Sequence, residues 1–345
     1  MQPAPPTSAE IHALVESANR FREAAPWLHV SDEQVFGILD PEHDEIAYAV
    51  ISGPPAIACG LSLFPGSAGL ATLRRMQFEL LPDDTDDLLI QTRSLICAFT
   101  SSETLEPRDR RFLEGAGLRL HRGESWPYFI SHEPGYGSWT VSGAEARLFR
   151  IALDQSLVMA EAIMDDPTLL EQGSPGEFLV RVLEDESAIG AWSGRWMRPP
   201  DTRDLCPPKL DEVTAARLAR MPFAEAREWE VDAVTGMGLL AEGESVRPRV
   251  LRVLTVIERG TAYMHDAEVL EAPEFNDRVA GLFVEQALAI GYRPRRILVR
   301  DYALRNLLAR VARAMNSKLF RLQYLPLIEQ AQTLLRERRR TRSAI

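Results

Sequence analysis

The sequence predicts an α+β protein in two parts, with an N-terminal antiparallel meander and helices and a C-terminal mixed α/β sheet. In the first part, short apolar runs alternate with segments rich in turn formers, which is typical of neighbouring antiparallel strands. In the last third, three strands precede alternating helices and strands (βββαβαβα), an order that favours parallel additions to one sheet. We therefore expect an N-terminal domain over residues 1–166, a connecting segment over 167–225 and a C-terminal domain over 226–345.

Apolar spacing and turn residues place the N-terminal elements. A helix opens at Ser8 and Glu10, and its apolar stripe contains Ile11, Leu14, Val15 and Phe21. Three strands follow, predicted at Val35–Leu39, Ile46–Ile51 and Ile57–Phe64. A long helix is predicted over Ala144–Met164 after a cap at Ser142 or Gly143. Its residues expected to be buried against the meander are Leu148, Ile151, Ala152, Val158, Met159 and Ala162.

The composition is that of a globular protein, with 345 residues, of which 46% are hydrophobic and 26% charged. No apolar run approaches the roughly 18 residues that span a bilayer, and the N-terminus lacks the features of a secretion signal. Cys59, Cys97 and Cys206 are too few and too widely spaced to predict a disulfide framework or a cysteine-rich zinc site. These features predict a cytoplasmic protein without a membrane partner.

Charge is distributed unevenly along the chain. Residues 1–225 carry 19 basic and 35 acidic groups (net −16), whereas residues 226–345 carry 20 basic and 15 acidic groups (net +5). The chain also ends in an arginine-rich run, Arg336–Arg342. A basic segment can attract nucleic-acid phosphates, dock against an acidic neighbour or form a solvated helix end. All three interpretations stay open from the sequence, and nucleic acid is therefore one candidate partner of the C-terminal domain.

Several stretches resemble a group of uncharacterised bacterial proteins known as domains of unknown function. The resemblance is carried by Phe36–Pro41, Glu45–Tyr48, Gly60–Gly66, Trp126–Pro127, Pro134–Tyr136, Gly143–Arg147 and Gly291–Asp301. It implies a bacterial protein of two parts and carries no activity and no site residues. His43 and Asp44 depart from the pattern, because a turn closed by glycine is expected there, and the first hairpin is therefore expected to be looser.

The C-terminal element order also resembles that of ribonuclease H-like domains. In those domains, carboxylates in the first strand and at the end of the fourth hold divalent metal for phosphodiester cleavage, and the matching residues here are Asp232 and Asp301. A third carboxylate should project from a helix, where Glu274 and Glu285 lie nearest to the predicted buried stripe. Mg²⁺ or Mn²⁺ would then be the cofactor. Phosphate contacts would come from Arg293, Arg295, Arg296 and Arg300.

A structural interpretation of the two aspartates stays open beside this one. Asp232 would then be a solvated strand residue, and Asp301 would cap the helix that starts at Tyr302. On the last helix, Glu329 falls outside the predicted stripe of Leu327, Ala331, Leu334 and Leu335, and it is therefore not expected to face a metal site.

The sequence favours a non-enzymatic function, as a bacterial cytosolic binding or interaction protein with a protein or small-molecule partner and no cofactor. Familiar catalytic signatures are absent, because the chain has no Gly-x-Ser-x-Gly, no His-Glu-x-x-His and no ligand spacing among its six histidines. The alternative is a metal-dependent nuclease or a nucleic-acid binder of ribonuclease H-like descent.

Overall fold

The computed structural model describes residues 3–53, 59–78, 92–184, 192–200, 209–243, 246–265, 267–271 and 274–343. The chain divides into two units, the first of residues 1–134 and 138–202 and the second of residues 135–137 and 203–345. Each unit has its own mixed sheet and its own helices, which confirms the predicted α+β architecture in two parts.

Helices and strands alternate in the first unit. Its helices are α1 (Ser8–Ala24), α2 (Gly66–Phe78), α3 (Pro107–Gly115) and α4 (Gly143–Asp165). Its strands are β1 (Phe36–Asp40), β2 (Glu45–Ser52), β3 (Gly60–Pro65), β4 (Ser94–Ser101), β5 (Ser125–His132), β6 (Phe178–Leu183) and β7 (Trp192–Met197). The long helix α4 is capped by Ser142, whose hydroxyl accepts a hydrogen bond from the Glu145 amide.

These strands form one sheet in the order β5-β4-β3-β2-β1-β6-β7. The strands β1, β2 and β3 pair antiparallel, as the predicted meander requires, and β4 and β5 extend it on one side. On the other side, β6 pairs parallel to β1 and β7 pairs antiparallel to β6. The first residue of the third predicted strand, Ile57, lies outside the described residues.

The turn between β1 and β2 closes without glycine. Asp44 adopts the left-handed conformation (φ 51°), which aspartate tolerates better than most residues, and its amide donates to the Asp40 carbonyl at 2.9 Å. The Asp40 carboxylate accepts hydrogen bonds from the Glu42 amide at 2.9 Å and from the His43 ring at 2.8 Å. The expectation of a looser hairpin is therefore wrong, because side-chain hydrogen bonds hold the turn.

Helices cover both faces of this sheet. On one face α1 and α4 share a core with the strands, and the predicted α1 stripe is buried at all four positions, Ile11, Leu14, Val15 and Phe21. On the other face α2 places Leu70 and Leu73 against Tyr48. The first unit is therefore a sheet between two helical layers, each of which removes apolar surface from water.

The buried face of α4 differs in phase from the prediction. Leu148, Ala152 and Met159 are buried, Ile151 and Ala162 are half-buried, and Val158 is 43% exposed. The buried face is centred on Phe149, and nine residues of helix rotation place Val158 about 180° away from it. Val158 therefore points to solvent, although it belongs to an apolar run.

The expected connecting segment, residues 167–225, is not a linker. It contains β6 and β7 of the first sheet, and the helix Glu212–Arg220 lies in the second unit. The parallel pairing aligns Gly37 with Val180 and Ile38 with Arg181, which are far apart in the sequence. Local patterns cannot predict such a pairing, because they carry no information about a partner strand that distant.

The second unit begins with the helix α5 (Glu212–Arg220), and nine further described elements follow it. Its other helices are α6 (Phe275–Ile290), α7 (Tyr302–Ala314) and α8 (Pro326–Ser343). Its strands are β8 (Phe223–Leu240), β9 (Arg249–Glu258), β10 (Tyr263–Met264), β11 (Glu268–Glu271), β12 (Arg293–Val299) and β13 (Lys318–Arg321).

The second sheet has the order β10-β9-β8-β12-β13, and β11 also pairs with β9. The strand β9 is antiparallel to β8, β10 and β11, whereas β12 is parallel to both β8 and β13. This arrangement agrees with the predicted three antiparallel strands followed by parallel additions, except that the third strand is divided into β10 and β11. The first and fourth predicted strands, β8 and β12, are direct neighbours.

The two faces of the second sheet are unlike. On one face Trp229, Val231 and Ala233 pack with α6 and α7 in an apolar core. On the other face a smaller apolar cluster joins Ile257 and Leu298 to Leu325 and Ile328, at the start of α8. Charged residues of β8 and β12 also lie on this second face, and they form the candidate site described below.

The phase of α4 gives a direct test of the first core. Phe149→Ala should lower the free energy of unfolding by about 3–5 kcal/mol, because it removes a fully buried ring from the centre of the helix face. Val158→Ala is the matched control on the same helix and should change stability by less than about 0.5 kcal/mol. Chemical denaturation of both variants measures the two values, and equal losses would contradict the observed phase.

An ion-pair network at the start of α1 should make stability depend on acidity. The Thr7 amide donates to the Glu10 carboxylate at 2.7 Å, and Arg147 contacts the same carboxylate at 2.5 Å. The Thr7 amide, followed by Arg147, lowers the pKa of Glu10 to about 2. A lowered pKa means that the stabilisation is present above the usual value of 4.5 and is lost as the pH falls towards about 2.

Glu10→Gln should therefore be less stable than the wild type by about 1 kcal/mol at pH 6, since the pair with Arg147 is partly exposed and screened. The difference should shrink between pH 4.5 and pH 2, where the wild-type carboxylate takes up its proton. Thermal unfolding of both proteins over this pH range measures it. A difference that stayed constant with pH would mean that the Glu10 charge does not stabilise α1.

Candidate functional site

Strand β8 places three carboxylates on one face. Successive side chains of a strand point to opposite faces, so the apolar positions Trp229, Val231 and Ala233 leave Glu228, Glu230 and Asp232 on the other. Glu230 is fully buried and Asp232 is 3% exposed. We call these three residues the carboxylate ladder. Ionised carboxylates in such positions require partners, because burying an unpaired charge costs several kcal/mol.

The neighbouring parallel strand supplies arginines to the two ends of the ladder. The register aligns Arg296 of β12 with Glu228, and the Arg296 guanidinium contacts that carboxylate at 3.0 Å. Four residues further on, Arg300 reaches Asp232 and donates to its carboxylate at 2.7 Å. The period of two along both strands therefore brings the arginines and the carboxylates to the same face.

The central carboxylate, Glu230, holds the last helix of the unit. Its side chain accepts hydrogen bonds from the amides of Leu327 and Ile328 at 2.9 and 3.2 Å, and from Arg259 at 2.8 Å. The first amides of a helix have no partner within the helix and carry partial positive charge. Glu230 satisfies two of these donors and fixes the start of α8 over the sheet.

Arg300 joins the ladder to this helix. Its guanidinium contacts Asp232 and the Glu329 carboxylate of α8, both at 2.7 Å. The Asp232 carboxylate also accepts a hydrogen bond from the Ala233 amide at 2.9 Å. Burial raises the pKa of Asp232, the nearby Arg300 opposes the shift, and the charge of Asp301 adds to it. The geometry is that of an arginine clamped between two acids.

Asp301 has a structural role at the start of α7. Its carboxylate accepts a hydrogen bond from the Ala303 amide at 2.6 Å, which is the geometry of a helix N-cap. The predicted capping role is therefore observed. The companion expectation for Asp232 is wrong, because that residue is buried and paired with Arg300, whereas it was expected to be solvated.

Glu274 and Glu285 do not complete a metal site with the two aspartates. Both are exposed, and Glu274 pairs with Arg278 on its own helix at 3.3 Å. Their helix, α6, packs on the Trp229 face of the sheet, whereas Asp232 lies on the opposite face. Among the described residues, no group of three or more histidine, cysteine, aspartate and glutamate side chains is arranged to hold a metal ion.

The four arginines expected to contact phosphate have different environments. Arg293 donates to the carbonyls of Met221 and Met315 at 2.8 and 3.2 Å. Arg296 and Arg300 are engaged by the acids described above. Arg295 alone of the four is exposed. The side chains of the arginine run Arg336–Arg342 lie outside the described part of the structure.

Four members of this network, Glu228, Glu230, Arg259 and Glu329, were not among the candidate residues predicted from the sequence. Glu329 was set aside because the predicted stripe of α8 was centred on Leu327, Ala331 and Leu334. In the structure, Ile328 and Gln332 are buried and Leu334 is 55% exposed, so the stripe is shifted by one residue. A shift of one residue turns a helix by about 100°, and this rotation brings Glu329 towards Arg300.

Comparison with known families divides the chain as the fold does. Residues 12–181 match the family model described as Domain of unknown function (DUF7309), and residues 214–335 match Domain of unknown function (DUF6930). No curated protein and no solved structure matches the chain. The two matches bear out the resemblance to domains of unknown function. Within the described residues, no helix combines the length and the apolar character needed to cross a membrane.

The clamp on Arg300 can be tested by removing its charge. Arg300→Met should lower the free energy of unfolding by about 3 kcal/mol at pH 7, because the buried Asp232 carboxylate loses its partner. Arg296→Met is the matched control, since its pair with Glu228 has side chains that are 43% and 24% exposed and should contribute less than about 1 kcal/mol. Chemical denaturation measures both losses.

The loss in Arg300→Met should also depend on pH. Without the arginine, burial should raise the pKa of Asp232 further, so the deficit should be largest at neutral pH and shrink as the pH falls and the acid takes up a proton. Adding Asp232→Asn to Arg300→Met should recover part of the stability at pH 7. A deficit that neither pH nor Asp232→Asn changes would mean that Arg300 acts by packing alone.

Proposed function

We propose that this protein is a non-enzymatic binding protein of the bacterial cytoplasm, whose partner is a protein or a small molecule. One observation carries the proposal: the carboxylates that metal-dependent cleavage would use already have internal partners. Arg300 engages Asp232 and Glu329, and Asp301 caps α7. These groups build the unit and are not free to bind a cation.

The chemistry of metal-dependent cleavage explains why this matters. Two-metal sites use carboxylates to bridge cations about 3.5–4 Å apart, and the cations stabilise the attacking and leaving oxygens. Here the guanidinium of Arg300 lies between Asp232 and Glu329 and already supplies positive charge to both carboxylates. A divalent ion would have to displace Arg300 and find further ligands, which Glu274 and Glu285 do not supply from the other side of the sheet.

The cellular setting in this proposal rests on composition and resemblance. Few cysteines favour a reducing compartment. Cys59 and Cys97 are both free thiols, and burial raises the pKa of the Cys97 thiol, which makes it a poor nucleophile. Cys206 lies outside the described residues. The bacterial origin follows from the resemblance of the sequence segments named above.

Descent of the second unit from a ribonuclease H-like domain is part of the same proposal. It is supported by the adjacency of β8 and β12, which brings the first and fourth strands together. In such a lineage, Arg300 would stand where an active relative keeps space for metal. Carboxylates that are paired with arginine are then consistent with a domain that has kept the sheet and serves in binding.

A cleavage assay tests the proposal. Mixed DNA and RNA substrates incubated with the full chain and Mg²⁺ or Mn²⁺ should remain intact, at the level of a metal-free control, because the carboxylates are occupied. Asp301→Asn is the comparison variant, since asparagine keeps the capping ability. Metal-dependent cleavage that is lost in folded Asp232→Asn and Asp301→Asn proteins would overturn the proposal in favour of a nuclease.

A further inference from the structure

The second unit has a concave surface that lies away from the carboxylate ladder. It is an open groove of about 590 Å³ between α7, the start of β8 and the first residues of β12 and β13. The lining residues that matter here are Phe223, Arg295, Arg305, Arg313 and Lys318, with Glu225 as the acid among the lining residues. We call this surface the α7 groove.

The cations of the α7 groove lack the internal partners that other arginines of this unit have. Arg295, Arg305, Arg313 and Lys318 are all exposed, and none forms an ion pair with an acid in the described part of the chain. By contrast, Arg259, Arg296 and Arg300 each contact one or two carboxylates. With Glu225 counted, the lining carries a net charge of +3. The charge of this surface is therefore available to a ligand.

Helical spacing shapes the groove for an extended ligand. Arg305, Ala309, Arg313 and Asn316 recur at three- and four-residue intervals and line the same side. The small alanine leaves room between the two arginines, which are separated by roughly 12 Å along the helix axis. Guanidinium groups bind phosphate through paired hydrogen bonds, so two arginines at this spacing can each engage a different phosphate of one chain.

An aromatic ring stands at the strand side of the groove. Phe223 is 45% exposed, and the guanidinium of Arg293 lies 5.6 Å from its ring centre. The floor beside it is fixed, because the buried Ser317 hydroxyl donates to the Pro294 carbonyl at 2.6 Å. Cations that track a backbone, together with an exposed ring on which a base can stack, are the elements of single-strand binding.

We propose that the α7 groove binds single-stranded nucleic acid, with Arg295, Arg305, Arg313 and Lys318 on its phosphates and Phe223 against a base. This inference rests on the proposed non-enzymatic binding role and goes beyond it, because it adds nucleic acid, at a separate surface of the second unit, to the protein or small-molecule partner proposed above. A single nucleotide would engage few of the spread cations. A strand engages several, and each phosphate contact releases counterions.

The test is fluorescence anisotropy with a labelled single-stranded 12-mer of mixed sequence, at several salt concentrations. The wild type should bind, and Arg305→Glu/Arg313→Glu should weaken binding on the order of 100-fold and reduce the salt slope by about 1.4. Arg310→Glu makes a charge reversal on the same helix outside the groove, and it should change affinity less than threefold. Phe223→Ala should weaken binding on the order of tenfold.

Each contrary result has its own meaning. Equal loss in Arg310→Glu and in the double variant would overturn the groove in favour of unspecific charge attraction. Competition by a mononucleotide at the same phosphate concentration would overturn the strand as the ligand. Absence of binding by the wild type at 50 mM salt would overturn the inference and leave the non-enzymatic proposal standing. Cleavage of the bound strand with Mg²⁺ would overturn that proposal and leave the groove standing. Unchanged thermal midpoints establish that the variants are folded.

Discussion

The neutralisation of the carboxylate ladder is the constraint on which the second unit depends. Glu228, Glu230 and Asp232 occupy the face of β8 that α8 covers, and there each of them has an arginine partner. Hydrogen bonds to charged groups contribute about 1.5–3 kcal/mol each, and an unpaired buried carboxylate costs more than that. The ion pairs between arginines and carboxylates also help to fix the register between β8 and β12. A shift of β12 by one residue would turn Arg296 towards the apolar core and away from Glu228, so the ladder favours the observed alignment of the two parallel strands.

The positive charges of the second unit lie in two kinds of environment, paired with acids around the ladder and, among the described residues, unpaired along α7. Around the ladder, arginines form ion pairs with acids of β8 and of the first turn of α8, and their role is structural. On α7, Arg305 and Arg313 form no ion pair with an acid among the described residues, and the helix that carries them is anchored by the Asp301 cap. A rigid support with unengaged charge differs from a solvated tail, because its charges keep a fixed spacing. The charges proposed to bind a ligand differ from the structural ones in forming no ion pair among the described residues, whereas position at the end of a strand did not distinguish the two kinds.

How much could be predicted depended on the distance over which each interaction acts. The meander, the α1 stripe and the Asp301 cap involve residues close in sequence, and periodicity or capping rules suffice for them. The outcome for Asp232 could not be predicted, because its burial depends on α8, which is almost a hundred residues away. The Glu329 contact was missed because a one-residue shift in the stripe of α8 moves that side chain to another face. The pairing of β6 with β1 was not predicted for the same reason as the burial of Asp232 under α8. In both cases the partner is distant in the sequence, and no local pattern encodes it.

The position of β6 has a consequence for how the chain is made. Until β6 arrives, β1 has one side without a partner strand, and such an edge is prone to pair with another chain. During synthesis the meander, α4 and their core emerge before residue 178, so the nascent first unit carries this unprotected edge until β6 is added. A fragment ended at residue 166 would keep it permanently. The smallest piece that contains every strand of the first sheet therefore extends through β7, and expression of the first unit alone needs residues up to about 200.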